Sequence, residues 1–320
     1  MNVRPAHIPV LLGEVLSILN PTAGGIYLDA TFGAGGHSKA ILDATLCKVY
    51  AIDRDMAAKR YADVLGVQYQ ERFFFAKSCF SELGKLCSAW GLEELNGMLF
   101  DVGVSSMQID NPERGFSFYG DGPLLMTMGC NQLTAADIIN EYPAHKLSEI
   151  LWRYGEEKKA EKIAKCICEK RKRKRITSTL ELAEIVREVV GSCKPGFHPA
   201  TQTFQALRIA INDELTELDK ALEDAIELLA VGGALIIITF QGLEDKIVKT
   251  HFRRLKGAEV ENKRRNKYTH SVIDGTYARD CQKSKCFILI NKKVIKPTLS
   301  ELKYNKRARS AKLRAIRRIL

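Results

Sequence analysis

The sequence predicts an α/β fold, a parallel Rossmann-like sheet interrupted by an inserted helical domain. Three observations carry that reading. Short apolar runs alternate with helix-compatible segments through the first hundred or so residues. The alternation then stops, and residues 111–200 show helical periodicity and loop signals. Buried-type strands return afterwards, at Gly232–Phe240 and Lys285–Asn291.

In order, "GIYLDAT" (Gly25–Thr31) is a short apolar strand ending in an acid, and Ser38–Thr45 suits a helix. "KVYAID" (Lys48–Asp53) is a second strand and Met56–Leu65 a second helix. Arg72–Phe80 gives a third strand with its loop, and Gly97–Gly103 a fourth. Met107–Gly129, with Pro112, Pro123 and several glycines, reads as loop. From Leu147 the apolar positions step as Leu147, Ile150, Leu151, Tyr154, then Ile163, Ala164, Ile167, which is a helix period. "STLE" (Ser178–Glu181) is a capping box opening a helix with Leu182, Ile185, Val186 and Val189 on one face. A further helix carries the stripe Phe204, Leu207, Ile211, Leu215 and Leu218. The expected domains are 1–110 and 201–291 for the two parts of the α/β unit, 111–200 for the insertion, and 292–320 for a basic tail.

A chain of 320 residues, 46% hydrophobic and 27% charged, is expected to be soluble and globular. Its net charge of +11 favours a polyanionic partner, nucleic acid or an anionic membrane surface. Neither a signal peptide nor a membrane span is expected. The nine cysteines include no C-x-x-C pair. Cys166 and Cys168 fit one helix and Cys281 and Cys286 stand apart, so we expect reduced thiols in the cytoplasm and no metal site.

"DATFGAGGHSKAIL" (Asp29–Leu42) places three glycines between a strand and a helix. Glycine lets a ligand approach the backbone, and a helix N-terminus attracts an anion. Two ligand classes fit, a dinucleotide or S-adenosylmethionine. Ser38 stands where a dinucleotide fingerprint wants its third glycine. Asp29, Asp53 and Asp101 end three strands. Those acids suit an ammonium, ribose hydroxyls and an adenine amine better than a pyrophosphate.

"FDVGVSSMQIDNPERGFSF" (Phe100–Phe118), with "HIPVLLGEVL", "DATFGAGGHS", "AIDRD", "FQALRIAINDEL" and "NKRARSAKLR", closely resembles the RsmH (MraW) family of bacterial 16S ribosomal RNA (cytosine-N4)-methyltransferases. The resemblance runs from His7 to Arg314. It implies a class I, S-adenosylmethionine-dependent methyltransferase sheet with an inserted helical domain. It also implies methyl transfer to the exocyclic amine of a decoding-site cytidine, within the small ribosomal subunit. Cofactor residues carried over by the motifs are Gly35, Gly36, His37, Asp53, Phe80, Asp101 and Gln108. Two stretches depart from the family pattern. Its P-L-D-M-R-M reads Pro123-Leu124-Leu125-Met126-Thr127-Met128 here, and its F-H-S-L-E-D-R reads Phe240-Gln241-Gly242-Leu243-Glu244-Asp245-Lys246.

Methyl transfer from a sulfonium needs alignment above all. A cytosine amine shares its lone pair with the ring, so an acceptor at its N–H bonds helps to free it. Asp101, or backbone carbonyls around Val102–Ser105, are the candidates, with Ser105 and Ser106 orienting the base. From Lys292 onward eleven Lys or Arg face Glu301 alone, a surplus assigned to RNA phosphates. "KRKRKR" (Lys170–Arg175) is either a second phosphate site or a solvated helix end. No DNA partner is expected, and a homodimer is allowed. The departures keep open a second reading, a catalytically weak S-adenosylmethionine-binding ribosome assembly factor. A nicotinamide-dependent oxidoreductase is disfavoured by Ser38 and the basic C-terminal segment.

Overall fold

After α1 (Leu12–Leu19), three strand–helix units follow: β1 (Ile26–Asp29) with α2 (Gly36–Ala44), β2 (Lys48–Asp53) with α3 (Lys59–Tyr69), and β3 (Phe73–Lys77) with α4 (Leu83–Ala89). β4 (Leu95–Asp101) runs into the short α5 (Ser106–Ile109). Helices α6 (Ala135–Glu141), α7 (Ala144–Gly155), α8 (Ala160–Arg171), α9 (Thr179–Val190), α10 (Thr201–Asn212) and α11 (Glu214–Leu228) come next. The chain closes with β5 (Leu229–Thr239), α12 (Gly242–Leu255), β6 (Phe287–Leu289), α13 (Leu299–Tyr304) and β7 (Lys312–Arg318). This computed structural model describes residues 8–129, 133–191, 197–255 and 286–320. His7, Cys281 and Lys285, used in the sequence reading, lie outside them.

One sheet has the order β3-β2-β1-β4-β5-β7-β6. β1 to β5 pair in parallel, and β7 runs antiparallel to both of its neighbours. This is the expected α/β methyltransferase sheet. Both faces are covered, so the strands are apolar on both sides. Val49 and Ala51 of β2 join one core with Val15, Ile41 and Leu65 of α1, α2 and α3. Tyr50 and Ile52 join the other with Leu83, Leu222 and Val248 of α4, α11 and α12. Strand order reverses around β1, which lies between β2 and β4. Ligands of such sheets sit beyond the strand ends at that reversal.

The helical lobe has its own core, including Leu124, Ile138, Leu151, Ile163, Leu182 and Phe204. Phe204, Leu207 and Ile211 of α10 belong to it, so the helical core extends past residue 200. Ser178 caps α9 by accepting from Glu181 N, but the Glu181 carboxylate accepts from Thr177 N instead of closing a capping box. The sequence reading passed over α6, although a reciprocal box between Thr134 and Asp137 marks its start. The long stripe through Leu215 is not one helix. Asp213 adopts a left-handed φ of 49°, which separates α10 from α11 and leaves Leu215 half-buried.

The expected basic tail contains β7, which lies between β5 and β6 inside the sheet. Its arginines are bound to protein. Arg314 Nε donates to Asp245 at 2.6 Å, Arg317 to Ile18 O at 2.9 Å and Arg318 to Leu229 O at 2.6 Å. Upstream, Arg307 pairs with Asp110. The end of α8 is similar, with Lys170 on Glu188, Lys172 on Glu169 and Arg175 near Asp137 and Glu141.

Candidate active site

The loop from β1 to α2 is built by short polar contacts. Asp29 is fully buried and accepts from Ser38 Oγ at 2.7 Å and from Thr31 N at 3.1 Å, so its oxygens are engaged by protein. Burial pushes its carboxyl above the usual range, against the pull of His37 and Ser38. The expectation that three strand-end acids face the ligand therefore reduces to Asp53 and Asp101. Ser38, out of place for a dinucleotide, is the donor that makes a buried Asp29 tolerable.

The glycines divide by role. Gly33 has φ +55°, and a Cβ there would meet nothing closer than Thr31 O at 3.9 Å, so the chain there has room to meet a ligand. A Cβ on Gly35 would come 2.7 Å from the Phe32 ring, and one on Gly36 would come 2.4 Å from Pro9. These two glycines satisfy protein packing whatever else they do. No side chain caps α2, which leaves its first N–H groups for an anion.

Asp53 accepts from Gly33 N and from Asp55 N, both at 2.8 Å. Burial pushes its pKa to about 6 despite those two bonds. Asp101 lies at the end of β4, its backbone N–H donating to Thr31 Oγ1 at 2.6 Å. His37 Nε2 is 3.6 Å from Asp101 Oδ2, too far for a hydrogen bond. Both ring nitrogens of His37, and Asp101 Oδ1, are buried without a hydrogen-bond partner among the described residues. Such groups are costly unless something supplies the missing bonds. Phe80 is half-buried and stands edge-on to Phe100, with centroids 5.7 Å apart.

Gln108 is buried and bonded to protein at both ends of its amide. Its Oε1 accepts from Ser105 N at 2.9 Å and its Nε2 donates to Asp55 at 2.7 Å. Ser105 caps α5 by accepting from Gln108 N. Asp55 also takes Arg114 Nη2 at 2.6 Å, and Arg114 reaches Thr127 O at 2.9 Å. Burial raises the Asp55 carboxyl, but the bonds from Arg114 and Gln108 prevail and hold it below the usual range. The sequence reading missed Asp55 and Arg114. Their signal was the second acid of "IDRD" and the arginine of "NPERG".

The two departures lie in different settings. Leu125 and Thr127 alternate with buried Leu124, Met126 and Met128, on a segment held by Asn212. Gln241 follows β5, the neighbour of β4, and donates to Glu244 at 2.7 Å. Its Oε1 is buried without a partner among the described residues. Glu244 is fully buried and also accepts from Phe240 N and Gln241 N. Burial pushes its pKa to about 7, against the pull of Arg208. A Cβ on Gly242 would meet nothing closer than Glu156 at 3.8 Å, so a serine fits there. Among the described residues no group of three or more His, Cys, Asp or Glu could hold a metal. None of their helices is long and apolar enough to cross a membrane.

The chain matches the MraW methylase family over residues 4–319. It is 46% identical over 314 residues to the ribosomal RNA small subunit methyltransferase H of Wolbachia sp. subsp. Drosophila simulans (strain wRi), covering 98% of this chain and 99% of that protein. A protein of the same name from Paramagnetospirillum magneticum (strain ATCC 700264 / AMB-1) is 46% identical over 318 residues, covering 99% and 97%.

Proposed function

The chain belongs to the MraW methylase family, and from that premise we propose that it moves a methyl group from S-adenosylmethionine to a cytidine N4 amine in small-subunit ribosomal RNA. The observation that carries this reading is the set of buried polar atoms at the strand reversal that have no partner among the described residues: both nitrogens of His37 and Asp101 Oδ1. They fit a ligand with several donors and acceptors, and Asp53 and the uncapped α2 add a ribose acceptor and a carboxylate site.

When bound, S-adenosylmethionine supplies a methyl group already activated on a sulfonium. The protein's work is positional. Asp53 accepts from the ribose hydroxyls. Gly33 lets the loop close on the ligand, and the first N–H groups of α2 hold its carboxylate. Gly35 and Gly36 shape that loop, His37 completes its bonds with the ligand, and Phe80 packs on the adenine ring. Gln108 supports the site through Asp55. Ser105 acts through its cap on α5, setting the turn that follows Asp101.

The target amine needs acceptors. Asp101 Oδ1 and Gln241 Oε1 are buried oxygens without partners among the described residues, on the chain segments that end two adjacent strands. They are assigned to the two N–H bonds of the cytosine amine. Accepting both draws the lone pair out of the ring, and Asp101 Oδ1 takes the proton that the amine loses. The base must leave any stack to reach them. The decoding region as target and a cytoplasmic location follow from the same reading. The test is mass spectrometry of small-subunit RNA after incubation of the particles with the protein and S-adenosylmethionine. N4-methylcytidine is expected, and its absence removes the proposal.

A further inference from the structure

Aromatic rings run from the helical core out to solvent. Phe204, 4% exposed, is the innermost. Phe118 stands edge-on to it, with centroids 5.0 Å apart and planes at 83°. His198 stacks on Phe118 at 4.3 Å and 22°. Tyr119 contacts both rings, at 5.0 and 6.4 Å, and is 83% exposed.

The backbone fixes this arrangement. Thr179 Oγ1 donates to Gly120 O and accepts from Gly122 N, both at 3.1 Å. Thr179 N donates to Gly122 O at 2.9 Å. A Cβ on Gly122 would come 2.0 Å from Pro112 O, so the loop admits no side chain there. On the other side His198 Nδ1 accepts from Ala200 N at 3.2 Å, and its carbonyl accepts from Thr201 Oγ1 at 2.8 Å. The loop and the His198 turn are therefore held in place, with the Tyr119 ring left to water. A preorganised surface of this kind binds with little ordering cost.

Charge selects the occupant. Arg173 and Lys174, beyond α8, are exposed and have no ion pair among the described residues. Thr179, which clamps the aromatic loop, is five residues beyond Lys174, a reach of at most about 18 Å. The one acid in the loop, Asp121, is engaged with the backbone of Gly122 and Leu180. Exposed aromatic rings with cations on an adjoining chain segment are how single-stranded nucleic acid is held, by stacked bases and flanking phosphates.

We propose that Phe118, Tyr119 and His198 form a stacking platform for an unpaired base of the RNA substrate, with Arg173 and Lys174 on flanking phosphates. The platform deepens the RNA reading above and rests on it. It is separate from the residues assigned to the cofactor and the target amine. Its role is to anchor the strand outside the reaction site.

The probe is a single-stranded oligoribonucleotide carrying one 2-aminopurine, used with the full chain. Wild type should quench its fluorescence on binding. Tyr119→Ala should weaken binding about tenfold or more and abolish quenching. Tyr119→Phe and Tyr119→Trp should keep both. Thermal midpoint and S-adenosylmethionine affinity should be unchanged in all three, since Tyr119 is exposed. The double variant Arg173→Ala, Lys174→Ala should flatten the salt dependence of binding. Equal binding and quenching by wild type and Tyr119→Ala overturns the platform. So does a loss seen with whole small subunits but not with RNA alone, which would assign the rings to a ribosomal protein. The activity reading fails separately, if wild type leaves small-subunit RNA unmethylated while Tyr119→Ala still loses the oligonucleotide.

Discussion

Gln108 Nε2 lies 2.7 Å from Asp55 Oδ2, and that bond joins the turn after β4 to the loop after β2. Arg114 reaches the same oxygen at 2.6 Å and carries the connection on to Thr127 O. Asp55 is thus the meeting point of the cofactor loop, the α5 turn and the segment leading into the helical lobe. Gln108, expected to touch the cofactor, also ties these segments together.

Arg114→Ala should strand the Asp55 carboxylate, which is 5% exposed. We expect a loss of about 3 kcal/mol in unfolding free energy, in the range for breaking a buried pair. Gln108→Ala should cost less, about 1–3 kcal/mol, because Arg114 still neutralises Asp55. Urea denaturation of both variants checks the order. Equal stability of wild type and Arg114→Ala would sink this account.

Asp53→Ala should weaken S-adenosylmethionine binding about tenfold or more, from lost bonds of roughly 1.5–3 kcal/mol each to a charged acceptor. Wild-type affinity should also fall by up to about tenfold for each pH unit below about 6, because binding favours the ionised carboxylate. In the unliganded protein the sign reverses. A carboxyl raised by burial stabilises the fold when protonated, so this contribution grows as pH drops from about 6 toward the ordinary carboxylate range. Calorimetric titration between pH 5 and 8 (roughly the span of the transition) should show the inflection in wild type and lose it in Asp53→Ala.

Gln241→Ala should slow single-turnover methylation roughly a hundredfold to a thousandfold, the scale for removing one oriented group at a reacting centre. Cofactor affinity should barely change. Glu244 keeps its bonds from Phe240 N and Gln241 N, so the fold should survive. Gln241→His, which restores the family's residue, should remain active. Wild-type rates in Gln241→Ala would remove Gln241 from the reaction.

Removing residues 312–320 should abolish soluble, folded protein rather than merely weaken RNA binding. β7 pairs with both β5 and β6 and buries Leu313, Ala315 and Ile316. Its loss opens an apolar sheet edge. Circular dichroism and gel filtration of the truncated chain are the measurement. A monomer with native ellipticity would show that β7 is dispensable.

The sequence by itself determined the elements whose signals are local. Short apolar runs located β1 to β5, and the 3.6 period located α7, α8 and α9. Motifs spread along the chain identified the family, which local physics alone could not separate from a dinucleotide enzyme. What only the tertiary structure decided depends on partners distant in sequence. Asp29, Asp53 and Asp101 look alike as strand-end acids, yet Ser38 and burial engage Asp29 while Asp101 Oδ1 has no partner among the described residues. Gln108 reads as a ligand residue, and only the fold shows that Asp55, 53 positions away, also takes its amide. The C-terminal segment reads as a tail because its lysines and arginines dominate its composition. In the fold, Leu313, Ala315 and Ile316 decide, because burying them between β5 and β6 satisfies two strand edges, and Arg314, Arg317 and Arg318 find acceptors along the way. Composition reports the charge of a segment, and only the packed chain shows which of those charges face water.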